Sequence, residues 1–414
     1  MIYALNIGAA ILVGLLLTRL GNKFKLPDVT SYLIAGLLLG PCLIGALGIP
    51  GLGFHSFEEV EILSPFNDVA LGFIAFAIGS EFRWSHIKQT GKAAVIIGIL
   101  QAVITTALVD VVLIGVSFVL PDLLSISDAL ILGAIAAATA PAATLMVVRQ
   151  YKAKGVVTST LLPVVALDDA VGLILFTVSF GVATHLNAPG GADAATLIVE
   201  PMLEIIGSIG IGALLGWLLT HIARIFHSNR NRNSLIVSFI IFGVCISTMK
   251  FHIGSLQFGL SSLLVNMMLG TIFCNFCKKS EDLMDRADRW SAPLMTLFFV
   301  LSGAELNLFA FGNVLVLAIG LIYIVTRCVG KYYGAAISAS ISKSPKEVRK
   351  WLGITLFPQA GVALGMAATV AARMGADGAM IRNVVLFGVM IYEMVGPSLT
   401  KYALTKAGEI TPLQ

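Results

Sequence analysis

Long apolar runs, separated by short charged or Gly/Pro-containing stretches, fill this sequence from end to end. Thirteen of them are candidate spans, at about 2–18, 29–46, 64–80, 92–120, 127–148, 156–183, 198–223, 234–249, 254–275, 290–306, 312–338, 350–372 and 379–403. Most approach the roughly 20 residues that a helix needs to cross a bilayer. None shows the ten-residue alternation of a membrane strand. The polar positions between the runs set an orientation. Basic residues gather after every odd run: Arg19, Lys23 and Lys25; Arg83, Lys88 and Lys92; Arg149, Lys152 and Lys154; Arg224, Arg230 and Arg232; Lys278, Lys279, Arg286 and Arg289; Lys343, Lys346, Arg349 and Lys350. The other loops hold only Lys250, Arg373 and Arg382. The positive-inside rule then predicts an outer N-terminus and a cytoplasmic C-terminus. This alternation also checks the count, because one missed helix would break it. The first run lacks a basic leader and is followed by Arg19, so it reads as a retained helix and not as a signal peptide.

Composition agrees with the pattern. Of the 414 residues, 57% are hydrophobic and 12% charged, with a mean hydropathy of +0.93, whereas a soluble domain carries roughly 25% charged residues. The fold class expected is an all-α polytopic membrane protein in contact with the lipid bilayer. There is no nucleic-acid signal, and no cofactor motif stands out. The five cysteines (Cys42, Cys245, Cys274, Cys277, Cys328) lie in or at the ends of the runs. Cys274 and Cys277 form a lone CxxC with no second ligand pair, so a zinc site is not expected.

The runs contain an internal echo. Ser31–Gly40 reads SYLIAGLLLG and Ser261–Gly270 reads SSLLVNMMLG. Gly79-Ser80-Glu81-Phe82 matches Gly303-Ala304-Glu305-Leu306, and Pro141 in run 5 matches Pro358 in run 12. The offsets are 230, 224 and 217 residues, in one order along the chain. Runs 1–6 then correspond to runs 8–13, with run 7 as connector. An odd connector turns the second copy upside down in the membrane, which is the inverted-repeat plan of secondary transporters. The organisation expected is one transmembrane domain over 1–414, with repeat one at 1–185, a connector at 198–223 and repeat two at 234–404.

Charge inside the runs marks a site. Asp168 and Asp169 sit side by side in Pro163–Phe176 (PVVALDDAVGLILF). A carboxylate at the centre of a membrane helix costs about 2.5–3.5 kcal/mol on insertion scales, so a pair is hard to explain as packing. Run 5 reads Thr139-Ala140-Pro141-Ala142-Ala143-Thr144, and run 12 reads Phe357-Pro358-Gln359-Ala360-Gly361. Proline frees a carbonyl four residues back, and small neighbours allow unwinding. Two such breaks at matching repeat positions predict facing half-helices with Thr139, Pro141, Phe357, Pro358 and Gln359 at the site. Arg327 and Lys331 are i and i+4 in run 11, so they share a face. Either could neutralise Asp168. Glu393 is central in the last run, either as scaffold paired with Arg327 or Lys331 or as a third titrating acid. Asp110 in run 4 reads as structural. All six histidines lie at run ends or in loops, which argues against a histidine relay at the midplane.

Protons and monovalent cations compete for the same carboxylate oxygens. If the empty, charged site cannot cross, each crossing carries one or the other and the result is exchange. Adjacent helical residues point about 100° apart, so one aspartate can hold the ion while the other faces a basic partner.

These residues resemble the cation:proton antiporters of the sodium/hydrogen exchanger superfamily, in particular its bacterial thirteen-helix branch. Val165-Ala166-Leu167-Asp168-Asp169-Ala170-Val171 is similar to the family's adjacent-acid motif, and the breaks at Pro141 and Pro358 to its two crossed, unwound helices. Val329-Gly330-Lys331-Tyr332-Tyr333-Gly334 resembles the stretch with the family's basic residue, with Lys331 or Arg327 in that role. The resemblance implies Asp169 as the ion-binding aspartate, for sodium first and for potassium or lithium next, and Asp168 as the variable partner. It also implies a bacterial inner-membrane location and a mobile core of helices 92–183 and 312–403. The remaining helices would form a dimerisation domain, hence a homodimer. No nucleotide-binding domain follows the last run before Gln414, which argues against the ligand-gated potassium-efflux members. Two other readings compete: a sodium-coupled organic-anion symporter, disfavoured by the adjacent acids, and a cation-binding sensor or channel without exchange. No nucleophile–base pair or metal-ligand cluster shares one depth, so an enzyme is not expected.

Overall fold

A computed structural model of the chain describes residues 2–23, 28–49, 53–84, 91–140, 144, 147–148, 151–186, 194–249, 251–253, 256–309 and 314–410. Within these the helices are, in chain order, α1 (Ile2–Lys23), α2 (Asp28–Leu39), α3 (Phe57–Glu61), α4 (Ser64–Glu81), α5 (Lys92–Val119), α6 (Ile126–Ala136), α7 (Val156–Leu186), α8 (Ala194–Ile225), α9 (Asn229–Ser247), α10 (Ser262–Phe276), α11 (Ser280–Ala304), α12 (Val314–Ile341), α13 (Lys346–Thr355) and α14 (Gly361–Lys406). Seven helical stretches are long and apolar enough to cross a bilayer by length and composition, and three shorter apolar helices lie among them. Helix occupies part of every one of the thirteen apolar runs.

Local departures from the expected spans have local causes. The second run leaves α-helix after Leu39 and ends in a 3-10 turn at Ile44–Leu47, closed by Gly48 with φ 68°, a conformation glycine adopts without a Cβ penalty. The start of the ninth run is taken by a strand, Leu256–Phe258, that pairs antiparallel with Phe251–Ile253 just before the run, and the run's helix starts only where the Ser261 side chain accepts from Leu264 N. The last two runs join in α14, whose halves are separated at Gly375 by a φ of 60°.

The chain groups into two compact units. The first comprises residues 1–64, 90–172 and 296–414. One of its cores packs α1 and α2 on the last turns of α11, through Ala10, Ala35, Leu39, Leu297, Val300 and Leu301. Backbones meet there because glycine faces them. A Cβ at Gly36 would strike the Val300 carbonyl, and one at Gly303 the Leu33 carbonyl. A second core in the same unit joins α5, α12, α13, the first half of α7 and the end of α14 through Ile97, Val157, Leu161, Leu352 and Leu404. The start of α7 is capped from far along the chain. The Glu409 carboxylate accepts from Val157 N at 2.6 Å, Thr158 N at 2.8 Å and Thr158 Oγ1 at 2.7 Å. The two backbone N–H groups are orphan donors of the first turn, where negative charge is favoured.

The second unit comprises residues 65–89 and 173–295. Its core packs α4, α8, α9 and α10 through Phe73, Phe76, Leu219, Ile240, Leu269 and Phe273. Again glycine sets the approach: a Cβ at Gly79 would strike the Met267 carbonyl, and one at Gly270 the Phe76 carbonyl.

Candidate functional site

The first unit holds two interrupted helical stretches. Residues 137–140 follow the end of α6 without regular structure, and residues 357–360 separate α13 from α14. The breaks cross. Ala140 N donates to Pro358 O at 2.8 Å. The Gln359 amide donates to Ile135 O at 2.9 Å, and Thr144 Oγ1 donates to Thr355 O at 3.2 Å. The crossing therefore gathers the carbonyl ends of two short helices, α6 and α13. Helix C-termini carry partial negative charge and unpaired carbonyls. In an apolar setting those carbonyls need donors.

Helix α12 supplies them. It lies close against α5 because Gly330 and Gly334 face Thr105 and Gln101. A Cβ at Gly330 would come within 3.1 Å of Thr105 Cα. Arg327, fully buried, bridges both breaks. Its Nε donates to Ala136 O at 3.0 Å, one terminal nitrogen to Ala138 O at 2.6 Å and the other to Phe357 O at 2.6 Å. Its guanidinium carbon sits 4.6 Å from the centre of the Tyr392 ring, and Tyr392 is held by its hydroxyl donating to Ile324 O at 2.9 Å. The planar fork suits this task, since three diverging donors reach three carbonyls.

Lys331, one turn on, meets the acid. Its Nζ lies 2.6 Å from Asp168 Oδ2, with both side chains fully buried. It also donates to Ala137 O, and it lies 2.9 Å from Thr139 Oγ1 and 3.2 Å from Gln101 Oε1. Asp168 is held on every side: Gln101 Nε2 donates to Oδ1, and Thr139 Oγ1 joins Lys331 at Oδ2. A buried ion pair endures when hydrogen bonds satisfy its remaining lone pairs, as they do here. Of the two basic residues on one face of α12, Lys331 contacts Asp168, and Arg327 makes no ion pair among the described residues.

The other expected site residues fall as follows. Asp169 is helical within α7, and its side chain lies outside the described residues, as does all of Pro141. Pro358 is buried, and Gln359 pairs with the Tyr323 hydroxyl at 3.3 Å. Glu393 is 1% exposed and forms no ion pair with Arg327 or Lys331. Its Oε1 has no hydrogen-bond partner. Asp110 sits against Gly133 of α6, also with one unpartnered oxygen. Gln101 and Thr105 went unnoticed in the sequence. The signal was there: Gln101 is a lone amide within the apolar stretch Val95–Thr105, one turn before Thr105, whose hydroxyl bonds its carbonyl at 2.7 Å. Among the described residues no cluster of His, Cys, Asp and Glu could hold a metal ion as a resident cofactor.

Crossed helix breaks around a buried acid–base pair, in a bundle of apolar helices, define a secondary transporter. Comparison with known proteins gives the family. The model of the sodium/hydrogen exchanger transmembrane family matches residues 7–406, and the chain belongs to that family: it is a multi-pass membrane protein and a cation/proton antiporter, not an enzyme. It is 24% identical over 354 residues to the Na(+)/H(+) antiporter NhaS4 of Synechocystis, covering 84% of this chain and 83% of the relative. It is 22% identical over 399 residues to a Na(+)/H(+) antiporter of Enterococcus hirae, covering 94% of each. It is 21% identical over 405 residues to the K(+)/H(+) antiporter subunit KhtU of Bacillus subtilis, covering 96% of this chain and 92% of that one. The fold matches that of the sodium proton antiporter MjNhaP1 from Methanocaldococcus jannaschii, with a TM-score of 0.76 at 19% identity over 97% of each chain.

Proposed function

We propose that this antiporter exchanges a monovalent cation for protons by alternating access at the Asp168–Asp169 site. Sodium is the first candidate, with potassium and lithium next. The observation that carries the reading is the Asp168–Lys331 pair, fully buried and set against the carbonyls of the first of two crossing breaks. Lys331 cancels one of two adjacent negative charges. The charge left on Asp169 can then be met by one cation or one proton, and either makes the local sum zero. An empty site keeps its net charge, and the cost of carrying that charge through hydrocarbon blocks idle crossing. That rule is enough to couple the two flows.

In this reading Asp169 binds the ion, and Asp168 with Lys331 sets the charge. Arg327 with Thr139, Phe357, Pro358 and Gln359 keeps the breaks in shape, and Pro141 opens the first of them. Helices 92–183 and 312–403 move as the core, the remaining helices form the dimer contact of a homodimer, and two inverted repeats relate the halves. The protein lies in a bacterial inner membrane with its N-terminus outside and its C-terminus in the cytoplasm. The named relatives support both sodium and potassium as cargo.

The test uses inside-out vesicles holding a proton gradient, reported by a pH-sensitive dye. Adding sodium, lithium or potassium should dissipate the gradient when the protein is present. Failure of all three cations, with folded protein verified in the membrane, contradicts the proposal.

A further inference from the structure

Five acids among the described residues are more than nine-tenths buried: Asp128, Asp168, Glu305, Glu393 and Glu409. Four have partners. Asp128 closes a capping box with Ser125, Asp168 holds Lys331, Gln101 and Thr139, Glu305 pairs with Arg382 at 3.3 Å, and Glu409 caps α7. Glu393 stands apart. Its Oε1 is buried without a partner, and neither carboxyl oxygen takes part in a hydrogen bond or ion pair among the described residues.

Two ordinary explanations fail. As a structural anion, Glu393 would need a cation. Arg327 is committed to three carbonyls, Lys331 is bound to Asp168, and Tyr392 gives its hydroxyl to Ile324 O. As a permanently neutral structural acid it would donate its hydroxyl to an acceptor, as buried polar groups do, and none receives it among the described residues. What remains is a carboxyl that exchanges its proton. Its place suits that. The preceding residue, Tyr392, lies beneath Arg327. One turn later Gly396 faces the ring of Pro358, where a Cβ would come within 2.8 Å of Cγ. Glu393 is therefore carried on the stretch of α14 that braces the second break.

We propose that Glu393 is a second proton carrier of the exchange cycle, holding a proton while the site is free of cation and releasing it to water when a cation binds. The O–H bond breaks, the proton goes to water and the carboxylate keeps the electron pair; the cation's own charge is matched at Asp169, so the negative charge left on Glu393 makes the exchange move net charge. The inference rests on the exchange reading above. It adds one proton to each cycle beyond the one displaced at Asp169.

The test is proton release on cation binding, read with a pH dye on purified protein in weakly buffered detergent. Sodium, lithium and potassium chloride are added in turn, with choline chloride as the control. Glu393→Gln should melt close to the wild-type temperature and release roughly one proton fewer per chain, and Glu393→Asp should restore the release. A wild-type count from Glu393→Gln overturns this inference and leaves the exchange site standing. No release from the wild-type protein with any of the three cations overturns the exchange reading, and this inference with it. Asp169→Asn removes the carboxylate that binds the cation and should abolish both releases; release that persists in it overturns the exchange reading.

Discussion

Asp168 and Glu393 are buried to the same degree, 0% and 1% exposed, in the same unit of the protein. Their surroundings are opposite. Asp168 lies in a closed polar shell with a cation, an amide and a hydroxyl on its two oxygens. Glu393 lies beside that machinery with nothing on its carboxyl. The difference teaches what burial alone does not say. A paired acid holds structure and fixes charge, and a bare one is costly to ionise. The chain spends its donors on Asp168 and on the carbonyls of the breaks, which leaves Glu393 free to change its charge.

That contrast can be broken by substitution. The largest effect should come from Lys331→Ala, which strands Asp168 as a buried, uncompensated charge. A loss of about 3–5 kcal/mol is expected, read as a large drop in thermal unfolding temperature in detergent. The double variant Lys331→Ala with Asp168→Asn should recover part of it. Arg327→Lys should come next. Lysine keeps the charge but cannot span Ala136, Ala138 and Phe357, and about 2 kcal/mol is expected from carbonyls left without donors. Equal stability of Arg327→Lys and wild type would show that the fork is not needed. A smaller effect should follow Glu409→Ala, which uncaps α7 and should cost about 0.5–2 kcal/mol. The smallest should be Glu393→Gln, which keeps the side chain's size and removes no hydrogen bond or ion pair, so its unfolding temperature should stay close to that of wild type. If Glu393→Gln destabilised as much as Lys331→Ala, Glu393 would have a structural partner and the contrast would fail.

The sequence and the structure divide the explanation unevenly. The helices follow from the apolar runs, since a chain in hydrocarbon has few other ways to pair its backbone. The breaks were legible because proline and alanine stand where an unbroken helix would want side-chain packing. Charges at mid-run announced Asp168, Lys331, Arg327 and Glu393. The helical period also put Arg327 and Lys331 on one face. It could not say which of them reaches Asp168, because that depends on how α12 is rotated against α5, and the glycines Gly330 and Gly334 set that contact. Gln101 was missed for a different reason. An uncharged amide in an apolar run carries no cost large enough to announce it, and it gains meaning only beside its partners. The Glu409 cap was invisible because 252 residues separate it from Val157. Two close helix approaches were invisible for the same reason, since only the folded chain brings their partners together. Gly303 on α11 faces Leu33 of α2, and Gly79 on α4 faces Met267 of α10.

The most direct test of the exchange site uses proteoliposomes carrying an imposed proton gradient, with wild-type protein and Asp169→Asn compared at equal reconstitution. Wild-type protein should dissipate the gradient on addition of sodium, lithium or potassium. Asp169→Asn, melting at the wild-type temperature, should give no cation response. Wild-type exchange by Asp169→Asn would contradict the account.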